Sequence, residues 1–172
     1  AGVRRGIFVS TTAIFTTLEA RTKSIRVEAE RLIMESGMDW TIIRSTMIYG
    51  TERDRNMARL IRFIARFPLI PVFGRGENLQ QPIYVEDLAR VIVDAVISDV
   101  SINKAYNVPG KYPLTYNQVI DQTAAAVGRR VIKVNVPVAL AVGLLRGYER
   151  LARKPLLKAE QVLRLNEDKA FS

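Results

Sequence analysis

The spacing of apolar residues changes from strand-like to helix-like and back again along the first 50 residues. Residues 6–10 and 40–44 are short apolar runs, which predict two buried parallel strands. Between them, residues 22–36 place four apolar side chains at helical spacing, namely Ile25, Ala29, Leu32 and Ile33. An amphipathic helix that buries this face is therefore expected. The order strand, helix, strand predicts a right-handed parallel crossover and an α/β protein.

The same alternation continues to the end of the chain. Helices are predicted over residues 56–66, 86–98, 116–127, 140–151 and 158–165, and strands over residues 71–73, 82–85, 104–108 and 131–136. Thr115 is a predicted N-cap and Gly128 a predicted C-terminal breaker of the helix between them. No repeat or clear linker interrupts the pattern, so we expect one folding unit that changes role near residue 50.

Composition narrows the functional classes. The chain has 172 residues, 48% of them hydrophobic, which suffices for the core of one domain. It has no apolar run of roughly 20 residues and no signal peptide, which predicts a soluble, cytoplasmic protein. Without cysteine or histidine it can form no disulfide, no Ser-His-Asp triad and no histidine-ligated metal site, and we expect no metal. Acid–base chemistry is left to carboxylates, Lys, Tyr or a cofactor.

The net charge of +9 and the isoelectric point near 10.2 would attract polyanions. The basic residues are scattered, however, and no nucleic-acid-binding motif accompanies them, which argues against nucleic acid as a partner. Residues 140–151 predict an amphipathic helix with Arg146, Arg150 and Arg153 nearby. Packing on the core is the favoured interpretation of that helix, and an anionic membrane surface or a partner protein is the alternative.

Several local strings resemble those of a known family. Residues 3–12 are similar to the fifth Rossmann strand leading to a catalytic hydroxyl, and residues 36–44 are similar to the sixth strand. The most specific match is Gln81-Pro82-Ile83-Tyr84-Val85-Glu86-Asp87-Leu88-Ala89, which resembles the entry into the substrate-side helix. Weaker matches lie at residues 47–50, 104–108, 114–116, 159–161 and 167–168. The chain thus resembles, over nearly its whole length, the extended or atypical short-chain dehydrogenases/reductases of the NAD-dependent epimerase/dehydratase type.

The resemblance implies an α/β fold in which residues 1–50 supply the C-terminal part of a Rossmann-like parallel sheet. Residues 51–172 would form a small α/β substrate-binding subdomain. Family members carry four earlier strands and a glycine-rich turn that holds the pyrophosphate, and no such turn occurs in this sequence. We therefore expect a fragment of a longer protein, with the missing N-terminal Rossmann half as its partner. A natural half-domain is the alternative, and a homodimer is a further expectation for assembly.

The resemblance also implies site residues. NAD or NADP would be bound, in the full-length parent, near Ser10, Lys23, Arg44, Ser45 and Met47. Thr11, with Thr12 beside it, would be the catalytic hydroxyl, although a strand-end cap explains such a residue equally well. Lys23 would complete the catalytic set.

The family's Tyr-x-x-x-Lys pair is degenerate in this chain. Aligning Lys23 with the family lysine places Glu19 at the tyrosine position, and the other register pairs Arg26 with Thr22. Lys23 could hydrogen-bond a nicotinamide ribose, and Glu19 is either a carboxylate base or an ordinary solvated side chain. Whether the protein is an enzyme is therefore left open by these residues.

Two features bear on the substrate. Arg55, Arg59, Arg62 and Arg66 follow one helical stripe, and Arg59 and Arg62 are candidate substrate-binding residues, with the polar face of an amphipathic helix as the alternative. Gln80 stands where epimerases commonly place a diphosphate-binding arginine, which predicts a substrate without a diphosphate. The expected function is that of an NAD(P)-dependent epimerase/dehydratase-like oxidoreductase or isomerase acting on a small hydroxyl or carbonyl substrate. The alternatives are a catalytically silent dinucleotide-sensing or assembly protein, and a basic module that binds membrane or nucleic acid.

Overall fold

The computed structural model describes residues 2–18, 21–52, 54, 56–152 and 158–171. The strands within these residues are β1 Arg5–Thr11, β2 Asp39–Ser45, β3 Ile48–Tyr49, β4 Leu69–Phe73, β5 Leu79–Gln80, β6 Ile83–Tyr84, β7 Lys104–Val108, β8 Leu114–Thr115 and β9 Ile132–Val136. The α-helices are α1 Arg21–Met34, α2 Met57–Arg66, α3 Val85–Ile97, α4 Tyr116–Val127, α5 Val138–Leu151 and α6 Ala159–Leu165. Short 3-10 helices cover Thr12–Phe15 and Asp99–Ser101.

A three-stranded parallel sheet in the order β1, β2, β7 confirms the predicted strand–helix–strand unit and the α/β class. The central strand β2 carries Ile42 and Ile43, both with no solvent exposure. Strand β1 was also expected to be buried, and this is wrong in part, because Val9 is exposed. Within the described residues β1 pairs with β2 alone, so it lies at an edge of the sheet and is half-buried.

The chain folds as two compact units. The first contains Ala1–Asp54, Gln81–Tyr112 and Phe171–Ser172, and the second contains Arg55–Gln80 and Pro113–Ala170. The sequence predicts one folding unit that changes role near residue 50, whereas both observed units contain segments from before and after residue 80. The reason is that β7, from the later part of the chain, pairs with β2 over the register Thr41 with Lys104 to Ser45 with Val108.

The first unit has an apolar core between its sheet and α3. The core residues are Ile43, Ile83, Leu88, Ala95 and Val108. Helix α3 begins directly after the two-residue strand β6, which pairs in parallel with β3. Glu86 and Asp87 lie in its first turn, where their charges favour the positive end of the helix dipole. The family-like string therefore forms a strand-to-helix junction, as the sequence predicts.

The second unit has a separate core, in which α2 and α4 pack beside the parallel pair β4–β9. The core residues are Ile64, Ile70, Val72, Ile120 and Ala124. Thr115 caps α4 through a capping box with Gln118, and Gly128 ends the helix with a φ of 68°. The predicted bounds and caps of α4 are confirmed, because all of these signals are local.

Helix α1 forms where it was predicted, but the prediction of its buried face is wrong. Ile25 and Leu32 are 58% and 56% exposed, and Ala29 is exposed as well. The buried side chain on α1 is Glu30, which is only 4% exposed. This helix is held to the sheet through a charge, because Glu30 lies against Arg44 of β2.

Helix α5 also differs from the favoured expectation of a helix packed on the core. It packs beside α6 and buries Ala141, but it leaves an apolar stripe exposed to solvent. The stripe consists of Leu140, Leu144, Tyr148 and Leu151. Within the described part of the chain, no helix is long and apolar enough to cross a membrane.

Candidate functional site

Five of the predicted site residues meet where β1 and β2 end. Parallel pairing places Ser10 opposite Arg44 and Thr11 opposite Ser45. Side-chain hydrogen bonds tie the two strand ends together, since Thr12 Oγ1 donates to the Ser45 carbonyl at 3.4 Å and Ser45 Oγ donates to the Ser10 carbonyl at 3.3 Å. Carboxyl ends of parallel strands are where ligands bind in open α/β sheets. The sequence therefore selected residues that the structure brings together at a suitable edge.

The Thr11 hydroxyl is engaged in a cap. Its Oγ1 accepts a hydrogen bond from the Ala13 amide at 3.2 Å and so caps the 3-10 helix that follows. Thr12 is buried, with its hydroxyl directed to the β2 backbone. The strand-end cap that the sequence allowed is thus present at Thr11. Its hydroxyl proton remains a donor, and a catalytic role stays a prediction.

A carboxylate that the sequence did not single out organises this edge. The single Nε–H of Arg44 is shared by both oxygens of Glu30, at 3.0 and 3.2 Å, and Glu30 also accepts a hydrogen bond from Arg44 Nη2 at 2.7 Å. It also accepts a hydrogen bond from Ser10 Oγ at 2.5 Å. The side chains of Glu30 and Arg44 are 5% and 18% exposed, so the ion pair is largely withdrawn from water. Such a fork holds a guanidinium in one orientation.

An aromatic ring covers the same guanidinium. Arg44 Cζ lies 5.4 Å from the centroid of the Phe15 ring, within the range of a cation–π contact. The Phe15 ring in turn lies 6.0 Å from the ring of Phe171, whose backbone amide donates to Gln81 Oε1 at 2.9 Å. Arg44 is therefore held both by a carboxylate at one edge and by an aromatic ring.

Lys23 is half-buried and donates from Nζ to the Thr16 carbonyl at 2.6 Å. This bond directs the amine toward the segment that follows the 3-10 helix. The residues of the other register, Thr22 and Arg26, are exposed on α1. Glu19 lies outside the described residues. The catalytic and ribose-binding roles of Lys23 stay predictions.

Met47 lies in the turn after β2 and is half-buried. Its carbonyl accepts from the Ile83 amide at 2.9 Å, which joins this turn to the start of the family-like string. The neighbouring Gln81 donates from Nε2 to the Gly110 carbonyl at 2.7 Å. A Cβ at Gly110 would lie 1.9 Å from the Pro82 carbonyl oxygen, so only glycine permits this approach. These contacts fix the loops next to the strand ends.

The three predicted substrate-binding residues belong to the second unit. Arg59 and Arg62 are exposed on α2, and Arg66 is exposed on the same helix. Ile64 and Ala58 are buried, so α2 is amphipathic as expected. Arg55 and Arg153 lie outside the described residues. Binding of a substrate by Arg59 or Arg62 stays a prediction.

Gln80 is buried, and its side chain forms hydrogen bonds with the C-terminal segment of the chain. Its Nε2 lies 3.5 Å from the Leu165 carbonyl and 3.4 Å from the Glu167 carbonyl, both of which accept its protons. Its Oε1 accepts from Lys169 Nζ at 3.5 Å, and Lys169 also donates to the Arg164 carbonyl. Burial lowers the pKa of Lys169, with Arg164 adding to the effect and Glu167 opposing it. A substrate-binding role of Gln80 stays a prediction.

One signal in the sequence could have revealed Glu30. Arg44 directly follows the fully buried Ile42 and Ile43 near the end of β2, and a largely buried guanidinium requires a partner of opposite charge. That requirement predicts a buried carboxylate near the end of β2 without saying which one. Glu28 lies on the same helix and Glu35 directly follows that helix, and both carboxylates are exposed and paired with Arg31. In the described part of the chain, no group of three or more acidic residues is placed to hold a metal ion.

Comparison with known families agrees with this architecture. The model of the NAD dependent epimerase/dehydratase family matches residues 20–108, which is more than half of the chain. The chain belongs to this family. Its matched region covers α1, β2, the junction of β6 with α3, and β7. The family membership expected from the local strings is confirmed.

Individual relatives of this epimerase/dehydratase chain are distant. The mitochondrial NADH dehydrogenase (ubiquinone) 1 alpha subcomplex subunit 9 of Arabidopsis thaliana is 27% identical over 150 residues, covering 86% of this chain and 37% of that protein. The structure of MoeE5 in complex with UDP-glucose and NAD matches with a TM-score of 0.66 at 19% identity, over 79% of this chain and 52% of its own.

UDP-glucose 4-epimerase from Thermotoga maritima, solved with UDP-glucose, matches with a TM-score of 0.64 at 21% identity, over 79% of this chain and 51% of its own. The two structural matches show the shared fold. The chain spans about half the length of these solved proteins and less than half of the Arabidopsis relative.

Proposed function

We propose that this chain contributes the catalytic edge of a cytoplasmic, NAD(P)-dependent epimerase/dehydratase that acts on a hydroxyl or carbonyl group of a small substrate. The observation that carries the proposal is the cluster of Ser10, Thr11, Arg44 and Ser45 at the carboxyl ends of two parallel strands. The NAD in the MoeE5 structure supports a nicotinamide dinucleotide as the cofactor.

The residues at this edge fit the nicotinamide end of such a cofactor better than its diphosphate. They offer hydroxyls, the Lys23 amine and a guanidinium already paired with Glu30, which suit ribose hydroxyls and an amide. The pyrophosphate would be held by a glycine-rich turn, a motif that the 172 residues do not contain. When bound, the nicotinamide supplies the hydride acceptor or donor.

The residues of this chain would orient the substrate and the nicotinamide ribose and would donate hydrogen bonds to them. The Thr11 hydroxyl would donate a hydrogen bond to the substrate oxygen while its own oxygen accepts from Ala13. The Lys23 ammonium, directed by the Thr16 carbonyl, would hydrogen-bond the ribose. A substrate without a diphosphate is favoured because Gln80 is buried among backbone carbonyls of the C-terminal segment.

The test is cofactor binding and turnover by the protein expressed from its complete open reading frame. We expect saturable binding of NAD⁺ or NADP⁺ by calorimetry, and a change in dinucleotide absorbance with a hydroxyl substrate. Thr11→Val should reduce the rate, because the donor is lost. The control Thr115→Val removes a hydroxyl that caps α4 in the second unit. The proposal would be overturned if the protein bound neither NAD⁺ nor NADP⁺.

A second candidate is a catalytically silent protein that senses a dinucleotide or takes part in an assembly. Two observations favour it, namely the absence of a tyrosine in either register of the Tyr-x-x-x-Lys pair and the similarity to an NADH dehydrogenase subunit. Dinucleotide binding without any hydride transfer, in the same two assays, is the result that would select it.

The exposed stripe on α5 favours a third candidate, in which the chain binds an anionic membrane surface. Leu140 and Leu144 are exposed, and Arg146 and Arg150 are exposed on the same helix. Co-sedimentation with vesicles that contain phosphatidylserine tests this idea. Retention that falls steeply with salt, and is lost in Leu144→Glu, would support it.

A further inference from the structure

The paired guanidinium at the end of β2 has one nitrogen left over. Glu30 occupies the edge formed by Arg44 Nε and Nη2, and Nη1 lies on the other side of Cζ. Among the residues that the structure describes, Nη1 has no hydrogen-bond acceptor, and the Arg44 side chain keeps 18% of its surface exposed. Nη1 carries two N–H donors. Arg44 therefore offers donors in an orientation that Glu30 sets.

The same pairing decides which ligand atoms those donors suit. Glu30 lies within 2.7 Å of Arg44 Nη2 and offsets its positive charge. A phosphate brought to Nη1 would be repelled by the Glu30 carboxylate on the other side of the guanidinium, because like charges repel more strongly where water is scarce. A hydroxyl or an amide carbonyl accepts the same hydrogen bond without that repulsion. The site therefore favours uncharged oxygen over phosphate.

Two neighbours restrict the guanidinium further. Ser10 Oγ donates to Glu30 Oε1 and so orients the carboxylate itself. Phe15 lies against the guanidinium at 5.4 Å. A donor that is immobilised before the ligand arrives loses less conformational entropy on binding than a free arginine would.

We propose that Glu30 is a positioning residue, which holds Arg44 Nη1 as a hydrogen-bond donor to an uncharged ligand oxygen, a hydroxyl or an amide carbonyl, at the carboxyl ends of β1 and β2. The proposal rests on the proposed function, because it takes the nicotinamide ribose or amide as the source of that oxygen. It assigns Arg44 a contact with the cofactor that does not involve phosphate.

The first experiment measures the dissociation constant of NAD⁺ by calorimetry in the protein from its complete open reading frame. Arg44→Lys keeps the positive charge beside Glu30 but removes the Nη1 donors of the guanidinium. We expect the dissociation constant to rise about three- to tenfold, as for a lost hydrogen bond, with little change in melting temperature. Glu28→Gln, an exposed carboxylate on the same helix, is the matched control and should leave the dissociation constant unchanged. An unchanged dissociation constant in Arg44→Lys would overturn the inference.

The second experiment separates positioning from simple attachment of the helix. Glu30→Met combined with Arg44→Met replaces the ion pair by apolar side chains, a change that often preserves stability. We expect a melting temperature close to that of the unchanged protein but weakened NAD⁺ binding, with the same dependence on salt. If the double variant matches the unchanged protein in both melting temperature and NAD⁺ affinity, the ion pair is only structural. A loss of salt dependence would show a phosphate contact and also overturn the inference.

Different results would overturn the proposed function and the role of Glu30. If the unchanged protein binds neither NAD⁺ nor NADP⁺, the proposed function is lost and this inference with it. If the unchanged protein binds NAD⁺ and the Arg44 variants bind it equally well, the inference alone is lost and the proposed function stands.

Discussion

Helices α1 and α4 are of similar length, yet they are anchored by opposite means. Helix α4 buries Val119, Ile120, Thr123 and Ala124, and its amphipathic pattern matches the face that packs. Helix α1 exposes Ile25 and Leu32 and buries Glu30. The difference teaches that a helical hydrophobic pattern identifies the helix but not the face that the described fold covers.

The two anchors also differ in what they contribute. Burial of Ile120 removes apolar surface from water, and this stabilises the fold whatever its neighbours do in detail. Burial of Glu30 costs desolvation, and it is tolerated only because Arg44 and Ser10 supply donors. An apolar anchor is therefore a source of stability, whereas a charged anchor specifies an arrangement.

Truncation of the apolar anchor should have the largest effect. Ile120 has no solvent exposure and packs with Ile64, Ile70 and Val72. We expect Ile120→Ala to lower the free energy of unfolding by about 4 kcal/mol, because it leaves a cavity in that cluster. Urea unfolding followed by circular dichroism measures this. Ile132→Ala, at an exposed position of β9, is the control and should change little. A loss below about 1 kcal/mol at Ile120 would contradict the packing described.

Neutralising the charged anchor should have the next largest effect. Glu30→Gln leaves Arg44 without its counter-charge, and we expect a loss of about 3 kcal/mol in the free energy of unfolding, at the lower end for buried pairs because Arg44 is partly exposed. The same urea titration measures the loss. Glu28→Gln on the same helix should have no measurable effect, because that carboxylate is solvated. Equal stabilities of the two variants would refute a buried pair.

Loss of the α4 cap should have a smaller effect. Thr115 Oγ1 accepts from the Gln118 amide at 3.1 Å, and removing it leaves a helix N–H group without a side-chain acceptor. We expect Thr115→Ala to cost about 1 kcal/mol, measured by thermal unfolding. Thr115→Ser keeps the acceptor and should restore most of the stability. If the alanine and serine variants melt together, the capping box contributes nothing.

The smallest effect is expected on the exposed apolar face of α1. Ile25 is 58% exposed, so Ile25→Gln should change the free energy of unfolding of the 172-residue chain by no more than about 0.5 kcal/mol. The measurement is again urea unfolding, with Ile120→Gln as the buried counterpart. A large loss at Ile25 would show that this face is covered after all, and the contrast between the two helices would then disappear.

Much of the fold could be predicted because its signals are local. The caps Thr115 and Gly128, the acidic first turn of α3 and the short apolar runs of β1 and β2 all act within a few residues of the elements they define. Ser10, Thr11, Arg44 and Ser45 were named by the family resemblance, and the parallel pairing of β1 and β2 places all four at one edge. Glu30 and the engagement of Gln80 could not, because both depend on partners far away in the chain.

The sequence by itself determined the order of the helices and of every strand except the two-residue strands β3, β5 and β8, and it determined both ends of α4. Through the family resemblance it also named the residues that gather at the carboxyl edge of the first sheet. Periodicity and capping act over one or two turns, so they need no knowledge of the tertiary structure. Only the tertiary structure decided that α1 is anchored by Glu30, that Lys104–Val108 joins the first unit, and that Gln80 is held by the C-terminal segment. The physical reason is that the cost of burying a charge or an amide depends on whether a distant residue arrives to satisfy it.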